Sequence, residues 1–383
     1  MPELSDANWN YPTSILFGNG RIRELPEICA VMNIQRPLIV TDQGLADFEF
    51  IKKISLSLNS AGVFSDVKAN PNGENITQGV SVFKVGQHDG VIAVGGGSAL
   101  DAAKAIALMC HQTRPIWDFE DIGDNWKRVD TDVMAPVIAI PTTAGTGSEV
   151  GRASVIVDES THSKKIIFHP NMLPAKVILD PELTQKLPPH ITSATGIDAF
   201  VHCFEAFCAP GFHPMADGIA IKGMSMIKEW LPIAYQDGEH LIARGNMLTA
   251  STMGATAFQK GLGAIHALAH PLGAIYDKHH GLLNAIIMPY VLVANKSAIE
   301  SKVHILCTNL GLKPDFNVFC EWVLSFRKTL GIPNTLAEIG IDTDRSKEIG
   351  ELAFADAAAS GNPIAFSKKN YQVLFEKAVK GIV

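Results

Sequence analysis

Short β-branched runs alternate with helical stretches over the first half of the sequence, and this order sharply limits the folds open to the chain. The runs at Pro37–Asp42, Gly90–Gly96 and Pro136–Thr142 are bounded by Gly, Pro or Asp, as buried strands are. The stretch Ser98–Cys110 consists mostly of good helix formers. This strand–helix–strand rhythm predicts a mostly parallel sheet covered by helices.

The pattern changes at the proline-rich joint Leu187–His190. From about Ile191 onward, apolar residues recur with the period of a helix and few strand candidates remain. At 383 residues the chain is also too long for one ordinary core. We therefore predict two domains, an α/β domain over residues 1–188 and an all-helical domain over residues 189–383.

The composition argues against several classes of protein. A net charge of −7 and a pI near 6.0 indicate no basic surface, so no nucleic-acid partner is expected. The six cysteines include no CxxC pair, which indicates free thiols in a reducing compartment. The N-terminal sequence shows no signal pattern, and no apolar run is long enough for a bilayer. We expect a cytoplasmic protein that does not bind membranes.

The segment VIAVGGGSALDAAKA joins a strand, three glycines and the start of a helix. Gly96 and Gly97 let the backbone approach an anion, Ser98 can cap the helix, and a helix N-terminus favours phosphate. The alternative is a glycine-rich turn without a ligand, since the segment is not the GxGxxG fingerprint. The best candidate for a ribose-binding acid is Asp42, which ends the run LIVTD, although aspartate is also common in turns.

A second polar loop, PTTAGTGSE, follows the run Pro136–Thr142. The hydroxyl groups of Thr142, Thr143 and Thr146 can line a nucleotide site, or they can belong to an ordinary turn. The carboxyl ends of parallel strands meet at one edge of a sheet, where α/β proteins bind their ligands. Both loops are therefore expected to lie together at a cofactor site.

Histidines and one aspartate recur one helical turn apart in otherwise apolar helices. Asp198 and His202 share a face of the segment GIDAFVHCFEAF. A second segment contains four of the thirteen histidines: His266, His270, His279 and His280. A single buried histidine is commonly a core residue, but burying two such pairs without a cation is costly. The spacing predicts a metal site in which Fe²⁺, Zn²⁺, Mn²⁺ and Ni²⁺ are all suitable.

Five motifs, in this order along the chain, resemble the iron-containing (group III) alcohol dehydrogenase family: GGGSALDAAKAIA, IPTTAGTGSE, LDPELT, GIDAFVHCFEAF and HALAHPLGAIYDKHHGLLNA. The resemblance extends from Phe17 to Asn362. It implies a dehydroquinate-synthase-like architecture, with an α/β N-terminal dinucleotide-binding domain and an all-α C-terminal domain for metal and substrate. It also implies an oxidoreductase that transfers hydride reversibly between NAD(H) and a small primary alcohol or diol, with the metal as a Lewis acid.

By motif position, the resemblance assigns metal ligands and cofactor contacts. It implies an Fe²⁺ ion held by Asp198, His202, His266 and His280. His270 corresponds to a family histidine near the nicotinamide, and is a candidate proton relay or a group that orients a ligand. The acid at Asp42 implies NAD rather than NADP. The other implied contacts are Gly96, Gly97, Ser98, Thr142, Thr143, Thr146, Val155, Lys164 and Leu183.

The sequence leaves other functions open. Glycerol dehydrogenases and dehydroquinate synthases share the fold, but they bind their metal through three protein residues, whereas His202 marks the four-ligand alcohol dehydrogenases. The apolar segment GLGAIHALAHPLGAIY favours a small, weakly charged substrate. Ile364 stands where many members have arginine, which leaves the substrate open. The alternative from another class is a cofactor-binding protein without turnover. The family also implies a homodimer or larger homo-oligomer.

Overall fold

The computed structural model describes residues 13–58, 60–161 and 163–383. These residues form two compact units, which divide between Lys186 and Leu187. The division lies at the start of the proline-rich joint, two residues before the boundary predicted from the sequence.

A six-stranded parallel sheet forms the centre of the first unit. The strands of this unit are β1 Ser14–Phe17, β2 Pro37–Val40, β3 Gly62–Phe64, β4 Gly90–Gly95, β5 Val137–Pro141, β6 Ala153–Asp158, β7 Ser163–Phe168 and β8 Lys176–Leu179. Strands β6 and β7 form a separate antiparallel hairpin, and the other six form the sheet. Its helices are α1 Leu25–Val31, α2 Glu49–Ser57, α3 Gly73–Val85 and α4 Gly97–Met109. The predicted strands are confirmed as β2, β4 and β5, and the predicted helix is confirmed as α4.

The apolar runs become strands because the sheet is covered. Every residue of β2, β4 and β5 is buried, as expected for parallel strands between layers of helices. Ile92 and Ile138 share one core with Leu25 of α1 and Ile51 of α2, while α4 packs against β4 and β5. The strand order is β1-β8-β5-β4-β2-β3. The order reverses between β2 and β4, so a crevice for a ligand is expected at the carboxyl ends of these two strands.

The second unit is helical, as predicted. Residues 187–383, all of which the structure describes, contain no strand. The α-helices are α5 Pro189–Cys208, α6 Pro214–Gln236, α7 Leu241–Ala257, α8 Ala264–Tyr276, α9 His280–Ala294, α10 Lys296–Asn309, α11 Phe316–Thr329, α12 Ser346–Ala355 and α13 Lys368–Lys380. Helix α5 is buried without interruption from Thr192 to Cys208 and packs against α6, α7 and α9. Its few polar side chains are therefore held in the interior of the unit.

Among the described residues, none of the helices taken singly has the length and apolar character that crossing a membrane requires. The bent pair His280–Ala294 and Lys296–Asn309 meets that test only when the two helices are counted together.

Candidate metal centre and cofactor loops

The glycine loop lies at the carboxyl end of β4, beside the point where the strand order reverses. Gly95 has φ +148°, a conformation that favours glycine. Helix α4 begins at Gly97 and its cap residue is Gly96, which has no side chain to bond the first amides. The prediction that Ser98 caps the helix is wrong: Ser98 lies inside the first turn, and its hydroxyl donates to the carbonyl of Ala69. The backbone amides at the N-terminus of α4 can still bind an anion.

The second polar loop touches the glycine loop. A Cβ atom at Gly97 would lie 2.6 Å from Cγ2 of Thr146, and one at Gly96 would lie 3.4 Å from Cγ2 of Thr143. The amide of Thr142 donates to the carbonyl of Gly95 at 2.9 Å. The structure thus brings the two loops together at one edge of the sheet. Glycine at position 97 is required for this close approach.

Asp42 lies two residues after the end of β2 and close to the end of β4. Its Oδ1 accepts from the amide of Leu45 at 3.1 Å, and a Cβ atom at Gly95 would lie 3.3 Å from its Oδ2. Burial raises the pKa of this carboxyl group, and hydrogen bonds from the backbone amides of Leu45 and Gly44 oppose the shift. One oxygen therefore closes a turn, while the other faces the loop that follows β4.

The remaining predicted cofactor residues are spread over the first unit. Val155 lies on β6 and Lys164 on β7, within the antiparallel hairpin. The side chain of Leu183 packs against the core beneath the sheet. The amide of Val155 donates to Oδ2 of Asp101 at 2.9 Å. The bond from Val155 joins the hairpin to α4, which carries Asp101.

Asp101 lies on α4 and bonds to groups outside that helix. Its Oδ1 accepts from the hydroxyl of Ser148 at 2.5 Å and lies 3.2 Å from Nζ of the buried Lys104. With its second bond to Val155, Asp101 joins α4 to the second loop and to β6. It therefore fixes the second loop and β6 against α4.

Three helices of the second unit bring the four predicted metal ligands together. Asp198 and His202 lie one turn apart on α5, His266 lies on α8, and His280 is the first residue of α9. Oδ1 of Asp198 is 3.9 Å from the Nε2 atom of each of the three histidines. The side chains of Asp198, His202 and His266 are at most 6 % exposed, whereas that of His280 is 25 % exposed. The group is thus most accessible at His280.

This donor set fits a divalent cation. One carboxylate oxygen and three imidazole nitrogens are the ligands that such ions take in proteins. Donors around a tetrahedral ion at about 2.1 Å are roughly 3.4 Å apart. The ligand atoms of Asp198, His202 and His266 all lie within 4.8 Å of one another, and Nε2 of His280 lies 3.9 Å from Oδ1 of Asp198. Burial, followed by the charge of His202, keeps the pKa of His266 well below its usual value. A neutral imidazole is the form that binds metal.

Asn284 is a member of this site that the sequence reasoning missed. It lies one turn after His280 on α9, and its Nδ2 donates to Oδ1 of Asp198 at 2.7 Å. The same nitrogen is 3.2 Å from Nε2 of His266 and 3.1 Å from Nε2 of His280. Asn284 therefore contacts three of the four predicted ligands, and its hydrogen bond orients the carboxylate of Asp198. Its spacing from His280 was the signal that could have identified it.

Glu205 is a second member that the sequence did not reveal. It lies on α5, and its carboxylate bonds to Nδ1 of His266 on α8, at 2.6 Å. Burial raises the pKa of Glu205 to about 7, and the amides of Ile265 and Gly263 lower it in part.

His270 lies beside the ligand group and is held by a carboxylate. Its Nδ1 is 2.8 Å from Oδ2 of Asp356, and its ring stacks on that of His280 with centroids 5.3 Å apart and 12° between the planes. Asp356 also accepts from the amide of Ala358 at 2.9 Å. His279 is exposed, and its Nδ1 accepts from the amide of Leu282 at the start of α9.

Comparison with known proteins identifies the family of the chain. The model of the iron-containing alcohol dehydrogenase family matches residues 12–181, and the model of its C-terminal domain matches residues 192–379. The 4-hydroxybutyrate dehydrogenase of Cupriavidus necator is 35 % identical over 96 % of this chain and 99 % of its own.

Two solved structures are similar over nearly the whole chain. The crystal structure of a 1,3-propanediol oxidoreductase has a TM-score of 0.91 at 30 % identity, and covers 97 % of this chain and 100 % of its own. The sulfoacetaldehyde reductase of Bifidobacterium kashiwanohense, solved in complex with NAD⁺, has a TM-score of 0.88 at 27 % identity over 97 % of this chain and 99 % of its own. Together with the fold and the ligand group, these matches show that the chain is an oxidoreductase of the iron-containing alcohol dehydrogenase family.

Proposed function

We propose that the protein transfers hydride reversibly between NAD(H) and a small primary alcohol or diol, with the corresponding aldehyde as the other substrate. The observation that carries this proposal is the placement of three imidazole Nε2 atoms at 3.9 Å from one buried carboxylate oxygen, Oδ1 of Asp198. The similar proteins support the substrate class, since their names indicate action on a hydroxy acid, a diol or an aldehyde.

Asp198, His202, His266 and His280 would hold the metal, and we propose Fe²⁺ from the name of the family. Zn²⁺, Mn²⁺ and Ni²⁺ suit the same donors. A bound divalent cation supplies Lewis acidity toward the substrate oxygen, and the nicotinamide exchanges the hydride. The chain's own part is to align these groups and to keep the ligands buried.

His270 is the proposed proton relay for the alcohol. Because the carboxylate of Asp356 accepts a hydrogen bond from Nδ1, Nδ1 carries the proton and Nε2 is left as the acceptor. The stacked ring of His280 holds the imidazole against the ligand group. A positioned base of this kind typically contributes about 10²–10⁴-fold to the rate.

The loops at the carboxyl ends of β2 and β4 are the proposed dinucleotide site. The N-terminus of α4, with Gly96, Gly97 and Ser98 in its first turn, would bind the pyrophosphate. Thr142, Thr143 and Thr146 would line the same site. Asp42 would accept the hydroxyl groups of the adenosine ribose and repel a 2′-phosphate.

Replacing Asp42 by glycine is expected to reduce the preference for NAD over NADP by at least about tenfold, through loss of a charge–phosphate repulsion of about 1.4 kcal/mol or more. The measurement is the ratio of kcat/KM for NAD⁺ and NADP⁺ with one alcohol. Asp47→Asn is the matched control, since Asp47 is exposed and close in sequence. An unchanged ratio in Asp42→Gly would contradict the role of Asp42 as the ribose acid.

The experiment that tests the function is a substrate survey on anaerobically prepared protein reloaded with Fe²⁺. Reduction of NAD⁺ and NADP⁺ is followed with short primary alcohols, diols and glycerol. We expect NAD⁺-linked turnover that a chelator abolishes and that Fe²⁺ restores. Bound metal and bound NAD without turnover on any alcohol would overturn the proposal in favour of a cofactor-binding protein. Turnover with glycerol alone would favour a glycerol dehydrogenase.

We further propose that the protein is cytoplasmic and forms a homodimer or larger homo-oligomer. Five of the six free cysteines are buried, which supports a reducing compartment. Membership of the family supports the oligomer. Sedimentation analysis of the purified protein would test the oligomer, and cell fractionation would test the compartment.

A further inference from the structure

The observed hydrogen bonds to the carboxylate of Glu205 all come from one end of one helix, the start of α8. Its Oε2 accepts from Nδ1 of His266 at 2.6 Å and from the amide of Gly263 at 2.9 Å. Its Oε1 accepts from the amide of Ile265 at 2.7 Å. The residue is buried on α5 three positions after His202. The carboxylate therefore connects the helix that bears two metal ligands to the helix that bears a third.

The start of α8 is held by further buried side chains. Oδ1 of Asn362 accepts from the amide of Ala264 at 3.2 Å. Asn362 also exchanges two hydrogen bonds of 2.9 Å with the amide group of Asn295. With Glu205, this arrangement bonds three successive amides at the start of α8, which a helix otherwise leaves without partners. The segment that contains Asn362 thus fixes α8 even though Ile364 replaces the arginine common at that motif.

Gly263 makes the approach of Glu205 to α8 feasible. A Cβ atom at Gly263 would lie 2.9 Å from Oε1 of Glu205 and 3.1 Å from Oδ1 of Asn362. Any larger residue at this position would push the carboxylate away from the helix N-terminus. The N-terminus also favours a negative charge there, because its amide dipoles point toward the carboxylate.

We propose that Glu205 is a positioning residue that sets the tautomer and the orientation of His266 and thereby preforms the metal site. The amides of Gly263 and Ile265 donate to both oxygens of Glu205, an arrangement that favours the ionised carboxylate. An ionised carboxylate only accepts hydrogen bonds, so Nδ1 of His266 carries the proton and Nε2 presents its lone pair. That Nε2 is the atom 3.9 Å from Oδ1 of Asp198. The inference rests on the proposed function in one respect, since it takes His266 as a metal ligand.

Glutamine at position 205 would separate this role from simple packing. Its shape is that of glutamate, but one of its two ends donates, while all three groups around it are donors. Nδ1 of His266 can then accept a hydrogen bond from the glutamine amide. This tautomer carries its proton on Nε2, which removes the lone pair that would bind metal. Loss of such a partner typically weakens metal binding by about 10–100-fold.

The test is a titration of the metal-depleted full chain with Co²⁺, followed by the visible absorption of the bound ion. We expect Glu205→Gln to raise the Kd for Co²⁺ by about 10–100-fold and to change the absorption spectrum. Glu300→Gln is the matched control, because Glu300 is exposed on α10 and pairs only loosely with Lys296, at 3.9 Å. Its Kd should stay within about twofold of the wild-type value.

Asn362→Ala separates the imidazole contact from the helix cap. This variant removes a bond to the amide of Ala264 and leaves the partner of His266 in place. We expect it to lower the thermal midpoint while shifting the Kd for Co²⁺ less than Glu205→Gln does. An equal or larger shift in Asn362→Ala would show that the metal site depends on the cap alone, and would overturn the role of Glu205 in setting the tautomer.

The remaining outcomes are also decisive. A folded Glu205→Gln protein that binds Co²⁺ within about twofold of wild type overturns the proposal. If Glu205→Gln does not fold, Glu205→Asp replaces it in the test, because aspartate keeps the charge but is one methylene too short to reach Nδ1 of His266. Unchanged Co²⁺ binding by Glu205→Asp would also contradict the proposal. A wild-type protein that binds no Co²⁺ would contradict the metal centre, and the proposed role of Glu205 would be rejected with it. Because neither alcohol nor NAD is used, lack of turnover alone does not affect the result.

Discussion

Replacement of His266 by alanine is expected to abolish tight metal binding and to lower kcat/KM for an alcohol by at least ~10³-fold. The reason is that a Lewis acid contributes several kcal/mol, and each 1.4 kcal/mol corresponds to about tenfold. His266 is central to the group: its ring stacks on that of His202 at 4.7 Å, and its Nε2 lies 3.9 Å from Oδ1 of Asp198. Its removal also leaves the buried Glu205 without its imidazole partner.

The measurements for His266→Ala are metal content after dialysis, steady-state kinetics and NADH binding. NADH binding should be retained, because the proposed dinucleotide loops belong to the first unit and the substitution lies in the second. His190→Ala is the matched control, since His190 is exposed in the first turn of the same helix as Asp198. A His266→Ala protein that retains both its metal and its activity would show that the ligand assignment is wrong.

The parts of this protein that the sequence predicted are those encoded by local periodicity. The runs that became β2, β4 and β5 are buried on both faces, so they are continuously apolar and can be recognised without a template. The pair Asp198 and His202 was recognisable because residues four apart share a helix face. His266 was recognised by the same rule, together with the resemblance to the family.

The parts that the sequence did not predict depend on contacts between distant segments. Glu205 and His266 are 61 residues apart, and His270 and Asp356 are 86 apart. No local pattern pairs such residues, so their geometry follows only from the packing of the helices. The error at Ser98 has the same origin, since its partner at Ala69 is 29 residues away. The bond between Asp101 and Ser148 spans 47 residues and was likewise not predictable from a local pattern.

Replacement of His270 by alanine is expected to lower kcat by about 10²–10⁴-fold while leaving the bound metal in place. His270 lies outside the four ligands, and its Nδ1 bonds to Asp356 rather than to Asp198. The proposed relay would thus be lost without loss of a donor to the cation. Metal content and the Kd for NADH separate this result from collapse of the site. A variant that loses its metal would instead assign His270 to the support of the ligands, through its stacked contact with His280.

The carboxylate of Asp356 makes this expectation specific, because it fixes which nitrogen of His270 can accept a proton. Asp356→Asn should reduce kcat by less than His270→Ala does, since an amide oxygen can still accept from Nδ1 when it is turned toward the ring. Asp344→Asn is the control, because Asp344 is an exposed aspartate in the loop before α12. If His270 and Asp356 act as one unit, the double variant should be no slower than His270→Ala alone. Additive losses in the double variant would mean that Asp356 acts independently of the imidazole, and would contradict the relay as proposed.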